Sequence, residues 1–599
     1  MDEKLPVEGG TRGGKAWKWR HLLLVLAAAA AWLGLSAVAG TMGELNQDEG
    51  WYLYAAKMVR EGAVPYRDFA FTQGPVAPLA YAALYNWVER NGVGGGRSAT
   101  FLFGGLASLL AVWLAMRIGP RNGRRTAGAF CFVLLGVNAY QCQFTTMVKT
   151  YALASLLFGL GLLLLSRTGR RGGGGFLIPG LAGFFLALAA ATRISFGAAL
   201  AAGGVYLVLV HRKSAPWSWL DYGLGGVLGL VLAFAPFVAL GGDGFAFGMV
   251  EYHLLREGGS GLGALALKAG CASRLVQAYF PAFAAGGILA TLAWGGRRRA
   301  AGRDVGTGAR VPAGFTGFLW VVLVLMAGVH LAAPFPYDDY QVPLYPLFCA
   351  LVGAGLARQL EKRGLGGEAA YRWLWAALCF AGVYAFASPS LQGWFVEGRD
   401  RVWWRLRERS ALAQLREAAA EVRAQFDAAG VGPGDRRVLL TQDTYLAVEA
   451  GAEVPHGLEM GPFSYYPDLD AERAASIGVV NREGLLDIIR SGEAAVAAAS
   501  GYTFAVACPE VEPVSEGDAA AIASALEAGY EETGRMERFG QAATELRIFR
   551  RRADILPRLG KNGDNLPDLG KSENGDLPSL GKSDGFLPNL GKTAGGAAE

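Results

Sequence analysis

Few charged residues interrupt the apolar stretches of this 599-residue chain, and those few are the groups able to do chemistry. Asp48 and Glu49 stand directly behind the first long apolar run, where a positioned carboxylate can take a proton from a hydroxyl and gain roughly 10²–10⁴-fold in rate. Lys149 interrupts TTMVKTYALA and Arg193 interrupts ALAAATRISFG, and both are residue types that bind phosphate. Glu251, His253 and Arg256 share another polar connection, and Asp338 and Asp339 open a later apolar stretch. Charges at a membrane face are costly to keep, which makes them functional candidates. Each has a plainer alternative. A lone lysine or arginine snorkels to the headgroups, a lone histidine is solvated or packed, and Asp48 caps the helix that follows it.

The element that must hold the acidic pair lies just after it. Trp51, Tyr54, Ala55, Met58 and Val59 recur at helical spacing, with Lys57, Arg60 and Glu61 on the other face, an amphipathic helix suited to lying among headgroups. Gly62 ends it, and Pro65 forces the preceding residue out of helix. Asp68, Thr72 and Gln73 then lead to Pro75 and Pro78, the start of a second surface helix ending near Glu89. The alternative is an ordinary folded loop with scattered charges.

Composition sets the wider class. With 52% hydrophobic and 18% charged residues, the chain reads as an α-helical polytopic membrane protein with a soluble part. Six scattered cysteines without a CxxC pair, and five histidines without ligand spacing, argue against a disulfide framework or a zinc site. After a basic N-terminus at residues 1–20, an apolar run over 21–39 is long enough to span and is expected to stay uncleaved. Further spans are expected near 98–117, 126–145, 150–166, 176–192, 194–210, 219–240, 275–294, 315–333, 341–357 and 372–388. Every second connection is basic, so about eleven spans, a cytoplasmic N-terminus and an extracytoplasmic C-terminal region follow from the positive-inside rule. The transmembrane part then covers 21–389, with a first external loop at 42–97.

Beyond it, 390–552 alternates strand-like and helix-like stretches, a small α/β domain. Strands are expected at Arg437–Thr441, Tyr502–Cys508 and Glu545–Arg550, with helices near 471–475, 483–490 and 518–528. The aromatic stretch Tyr445–Pro467 is either a packed loop of that domain or a wall of a membrane-side cleft. Residues 553–599 carry four near copies of LPxLGK, too short and polar to build a core, and are expected to be disordered.

The ordered series DE-G-x-Y-x-Y-A-A, G-x-x-P-Y-x-D-F and T-Q-x-P over Asp48–Tyr81 resembles the first external loop of the GT-C superfamily of membrane glycosyltransferases, which includes protein O-mannosyltransferases and aminoarabinose transferases. The likeness is detailed there and looser, through topology, to about Pro389. It implies transfer of a sugar from a polyprenyl-phosphate donor to an extracytoplasmic glycan, lipid or protein, by a single inverting displacement. Asp48 would then be the base, and Glu49 its partner or, with Asp48, a contact for a divalent cation such as Mg or Mn. Tyr52, Asp68, Gln73, Lys149, Arg193, His253, Arg256, Asp339 and Tyr340 would contact substrate, with Lys149 and Arg193 at the donor phosphate. Asp339 stands where related transferases carry histidine, and Gln73 where aminoarabinose transferases carry glutamate. The bilayer is the expected partner and nucleic acid is not. A transporter or flippase of lipid-linked sugar is the alternative, although no repeat of span pattern supports it.

Overall fold

A computed structural model describes residues 12–168, 177–211, 216–255, 261–297, 311–312, 314–387, 409–508 and 512–553. The repeats after residue 553, Arg256 and the stretch 388–408 lie outside the described residues.

Each apolar segment expected to span is helical. The first half of the chain gives α1 (Arg12–Met42), α2 (Gln47–Arg60), α3 (Val76–Ala82), α4 (Tyr85–Ile118), α5 (Arg124–Gly136), α6 (Ala139–Phe144), α7 (Thr150–Leu165) and α8 (Leu177–Thr192). Then come α9 (Gly197–His211), α10 (Ser218–Ala246), α11 (Tyr252–Leu254), α12 (Gly261–Ala278), α13 (Phe280–Arg297), α14 (Phe315–Ala332), α15 (Tyr345–Lys362) and α16 (Glu368–Ala387). Among the described residues, four helices are long and apolar enough to cross a membrane, or five if the pair α12 and α13, bent by 88°, is one broken span. Three shorter apolar helices accompany them. The chain is a multi-pass membrane protein.

Its packing follows the logic of a lipid solvent. On α10, Leu224, Val227, Leu228, Val231 and Leu232 face outward, while Tyr222, Gly226 and Gly229 are buried. Without a hydrophobic drive between helices in lipid, contact depends on small residues that let backbones approach. A Cβ on Gly183 would lie 2.0 Å from the Tyr222 carbonyl, and one on Gly225 1.9 Å from that of Gly180, so α8 and α10 meet backbone to backbone.

Two expected spans are broken. The 126–145 segment splits at Asn138, whose side chain accepts from Gln141 N–H and donates to the Ala278 carbonyl at 2.9 Å. Residues 145–149 are consequently irregular and deliver Lys149 to the start of α7. The 275–294 segment likewise straddles the α12–α13 bend.

The C-terminal region is α/β. Ala411–Ala428 (α17) is amphipathic and buries Leu412, Leu415, Ala419, Val422 and Phe426. Four strands pair in the order β1 (Leu439–Leu440), β2 (Val496–Ser500), β6 (Thr544–Arg551), β5 (Tyr530–Phe539), with β1 parallel to β2 and the others antiparallel. Helices at Thr444–Ala450 (α18), Ala471–Ser476 (α19), Arg482–Ser491 (α20) and Glu516–Gly529 (α21) connect them. The strand expected at 502–508 is displaced: the central strand is the alanine-rich VAAAS of β2, and only Val506–Ala507 (β3) is extended, against Glu512–Pro513 (β4).

The helix behind the acidic pair is not a surface helix. In α2, Gln47 and Glu49–Ala56 are all buried, because the C-terminal region covers the face expected to meet headgroups. A Cβ on Gly50 would sit 2.4 Å from the Tyr445 backbone nitrogen, so glycine is required for this approach. The Tyr54 hydroxyl accepts from Val454 N–H at 2.9 Å. Gly92 breaks α4 with a φ of +61°, and there the Glu449 carboxylate accepts from Val93 N–H at 2.8 Å.

Candidate active site

Asn46 starts the site. Its side chain accepts from Asp48 N–H, and Glu49 reaches back to Asn46 N–H at 3.2 Å, a capping box that fixes the first turn of α2. The cap is therefore Asn46, not Asp48, which leaves the Asp48 carboxylate for other work. Its Oδ1 accepts from Trp51 Nε1 at 3.2 Å, and its Oδ2 lies 2.9 Å from Lys149 Nζ. The side chain remains 25% exposed, enough for a reactant to reach.

Lys149 bridges two carboxylates. Its ammonium is also 2.9 Å from Asp339 Oδ2 and stands near the Phe144 and Tyr151 rings. Burial opposes its charge, but the pull of Asp339 and Asp48 outweighs this and raises the lysine above its ordinary range. Arg193 lies over the Tyr340 ring at 4.3 Å and the Tyr151 ring at 5.0 Å. Its buried Nε and the buried Oδ1 of Asp339 have no hydrogen-bond partner among the described residues, and buried polar atoms left unmatched ask for an explanation such as a ligand. His330 Nδ1 donates to Gln341 Oε1 at 3.4 Å, and its Nε2 shares a hydrogen bond with Ser195 Oγ at 2.9 Å.

These groups line one cavity of about 470 Å³, within the usual ~300–1,000 Å³ of small-molecule sites. Of the residues singled out in the sequence, it brings together Asp48, Tyr52, Gln73, Lys149, Arg193, His253, Asp339 and Tyr340. Three described ones are elsewhere: Glu251, which pairs with Arg473 at 2.7 Å, Asp68 and Glu49. Asp68 forms a two-pronged pair with its neighbour Arg67 at 2.8 Å and accepts from Val64 N–H, which holds its carboxyl below the ordinary range and closes the turn. Glu49 turns away, wholly buried, toward Arg97. Arg97 Nε and Nη2 donate to its two oxygens at 2.8 and 2.6 Å, and Val148 N–H donates at 3.2 Å. Arg97 also donates to the Gly40, Gly43 and Glu44 carbonyls and so ties the end of α1 to α2.

A divalent cation does not fit this arrangement. The two carboxylates of the acidic pair face different surroundings, and the gap between Asp48 and Asp339 is filled by an ammonium. Among the described residues, no group of three His, Cys, Asp or Glu side chains is placed to hold a metal ion.

Several lining residues had no sequence signal. Gln143, Tyr151 and His330 sit in apolar helical sequence, and Phe463, Tyr502 and Gln541 come from the C-terminal region. Of these, only Phe463 falls in the aromatic stretch considered for a cleft wall.

No protein-family model and no curated protein matches this sequence. Its fold does have counterparts. The crystal structure of ArnT from Cupriavidus metallidurans bound to undecaprenyl phosphate aligns over 89% of this chain and 98% of that one, with a TM-score of 0.53 at 15% identity. The chain has a GT-C-like fold. The apo state of the same ArnT aligns over 82% and 94%, with a TM-score of 0.51. A mycobacterial arabinofuranosyltransferase, AftD, has a TM-score of 0.45 and is covered over 40% of its length.

Proposed function

We propose that the protein is a membrane glycosyltransferase that moves a sugar from a polyprenyl-phosphate donor to an acceptor hydroxyl with inversion. The observation that carries the reading is a carboxylate, Asp48, sharing one cavity with two cations, the buried Lys149 and the half-buried Arg193. Inverting transfer from a phosphate-linked sugar asks for a base and for neutralisation of the leaving phosphate, and little else. The bound undecaprenyl phosphate of the ArnT structure, on a shared fold, supports the same donor class.

The donor phosphate competes with Asp48 and Asp339 for the Lys149 ammonium, and Arg193 supplies a second cation with an Nε free to donate. Drawing Lys149 toward the phosphate loosens its hold on Asp48 and leaves the carboxylate basic. The acceptor oxygen then attacks the anomeric carbon as the sugar–phosphate bond breaks. Its proton passes to Asp48, and the bonding pair leaves on polyprenyl phosphate. The alternation of basic connections supports a cytoplasmic N-terminus and a site on the outer face.

The test is the release of polyprenyl phosphate from labelled polyprenyl-phosphate sugars by purified protein in lipid discs. Cleavage dependent on an added hydroxyl acceptor is expected. Translocation of intact donor across vesicles without cleavage would replace this reading with lipid-linked sugar transport.

A further inference from the structure

The cavity is built by two groups of residues of unlike character. Membrane-side elements contribute Lys149, Arg193, His330 and Asp339. Among the described residues, the C-terminal region contributes only neutral side chains, Phe463, Tyr502 and Gln541. Gln541 lies in the turn between β5 and β6. Its Oε1 accepts from Gln47 N–H at 2.9 Å, and its Nε2 donates to the Tyr502 hydroxyl at 3.1 Å. Next to it, Ala542 N–H donates to Glu44 Oε1 at 2.9 Å. The end of β5 and the turn hold Arg538, Ala542 and Ala543 at φ of 54°, 65° and 50°, conformations that persist in non-glycine residues where surroundings over-determine them. This docked turn grips the residue immediately before Asp48.

We infer that this wall receives the sugar acceptor, and that the acceptor presents an uncharged, hydroxyl-rich surface there and not a phosphate. The inference rests on the transferase reading and adds the class of its second substrate. A primary amide and a phenol each offer both donor and acceptor capacity, which matches hydroxyl groups, and Phe463 offers a ring for the C–H face of a sugar. Glu44, bonded to Ala542 N–H, and Asp48, which follows the gripped Gln47, are the charged lining residues beside the wall, and both repel a phosphate. A donor phosphate and a neutral acceptor are thereby sorted to different parts of one cavity, with Asp48 where the two parts meet.

The experiment uses full-length protein in lipid discs with methyl hexopyranosides and their 6-phosphates and with methyl pentofuranosides and their 5-phosphates. Binding is followed by calorimetry with undecaprenyl phosphate present to occupy Lys149 and Arg193, and use as acceptor by transfer from labelled polyprenyl-phosphate sugar. Neutral glycosides are expected to bind at least tenfold more tightly than their phosphates. Gln541→Ala should weaken neutral glycosides about three- to tenfold, the size of one lost hydrogen bond, and raise acceptor KM far more than donor KM. Tyr502→Phe, which keeps the ring, should act in the same direction with a smaller effect. Phosphorylated glycosides binding as well as neutral ones would overturn the inference. So would variants in which kcat falls without a change in acceptor KM, the mark of a turn that only positions α2. If glycosides bind as expected but no donor is consumed, the transferase reading fails while the wall stands as a carbohydrate site. If donor is turned over yet both variants use glycosides unchanged, the wall falls alone.

Discussion

Asp48 is held by three neighbours that treat it differently: Asn46 fixes its backbone, Trp51 one oxygen, and Lys149 the other. Because Asn46 supplies the cap, Asp48→Asn separates basicity from folding. Turnover should fall ~10²-fold or more with donor affinity largely kept, read by single-turnover kinetics beside lipid-donor binding. Near-full activity in that variant would remove Asp48 from the chemistry. Lys149→Gln and Arg193→Gln should each weaken donor use more than Arg60→Gln, whose guanidinium donates to Asn86 outside the cavity. Equal effects of all three would make the two cations structural. Lys149 and Arg193 were legible because each is a lone charge in apolar sequence, where no other residue competes for attention. Arg97 was not, since its partner Glu49 lies 48 positions away and only the fold joins them.

At the scale of elements, the α1–α2 junction depends on that buried pair. Removing one partner of a buried ion pair strands the other charge, typically at about 3–5 kcal/mol. Glu49→Gln should therefore lower the thermal midpoint of the protein far more than Asp48→Asn does, by calorimetry in detergent. Equal stability would show that Glu49 is dispensable to the fold. A second element test concerns Asp443, which accepts from Gln47 Nε2 at 2.8 Å and the Tyr445 hydroxyl at 2.6 Å and joins α2 to the C-terminal region. Burial raises its carboxyl above the ordinary range, so the folded state binds its proton more tightly than the unfolded chain does. Stability from this group is then present at low pH and lost as pH rises through the raised value. Asp443→Asn should flatten that decline in unfolding midpoints across the same window, and an unchanged slope would contradict it. The elements themselves were unevenly readable. Long apolar helices declare themselves, but β2 reads VAAAS, with Val496 its single branched residue and no aromatic one to mark a strand. The β5 sequence carries charges on a half-exposed surface, and so has no apolar alternation to find.

For the whole molecule, the proposed orientation is tested by thiol labelling of intact cells. Gly434→Cys and Gly366→Cys both lie at open, exposed positions where a side chain meets no neighbour. A membrane-impermeant reagent should modify the first and spare the second; the reverse would place the site on the other face. The general architecture was visible in the alternation of apolar runs and basic connections. The burial of α2 was not, because an amphipathic pattern states that one face is apolar without saying whether lipid or protein will cover it.

That burial also sets an order in time. Gln47 and Asp443 are 396 residues apart in sequence. At ~5–20 residues per second of synthesis, roughly 20–80 s pass between them. Throughout that interval, the turn bearing Asp48 has been made but its cover has not. The Asp48 loop of a nascent chain waits, unsupported, until residues past 443 have been made, and a ribosome that stops before them leaves behind helices in a membrane but no closed cavity.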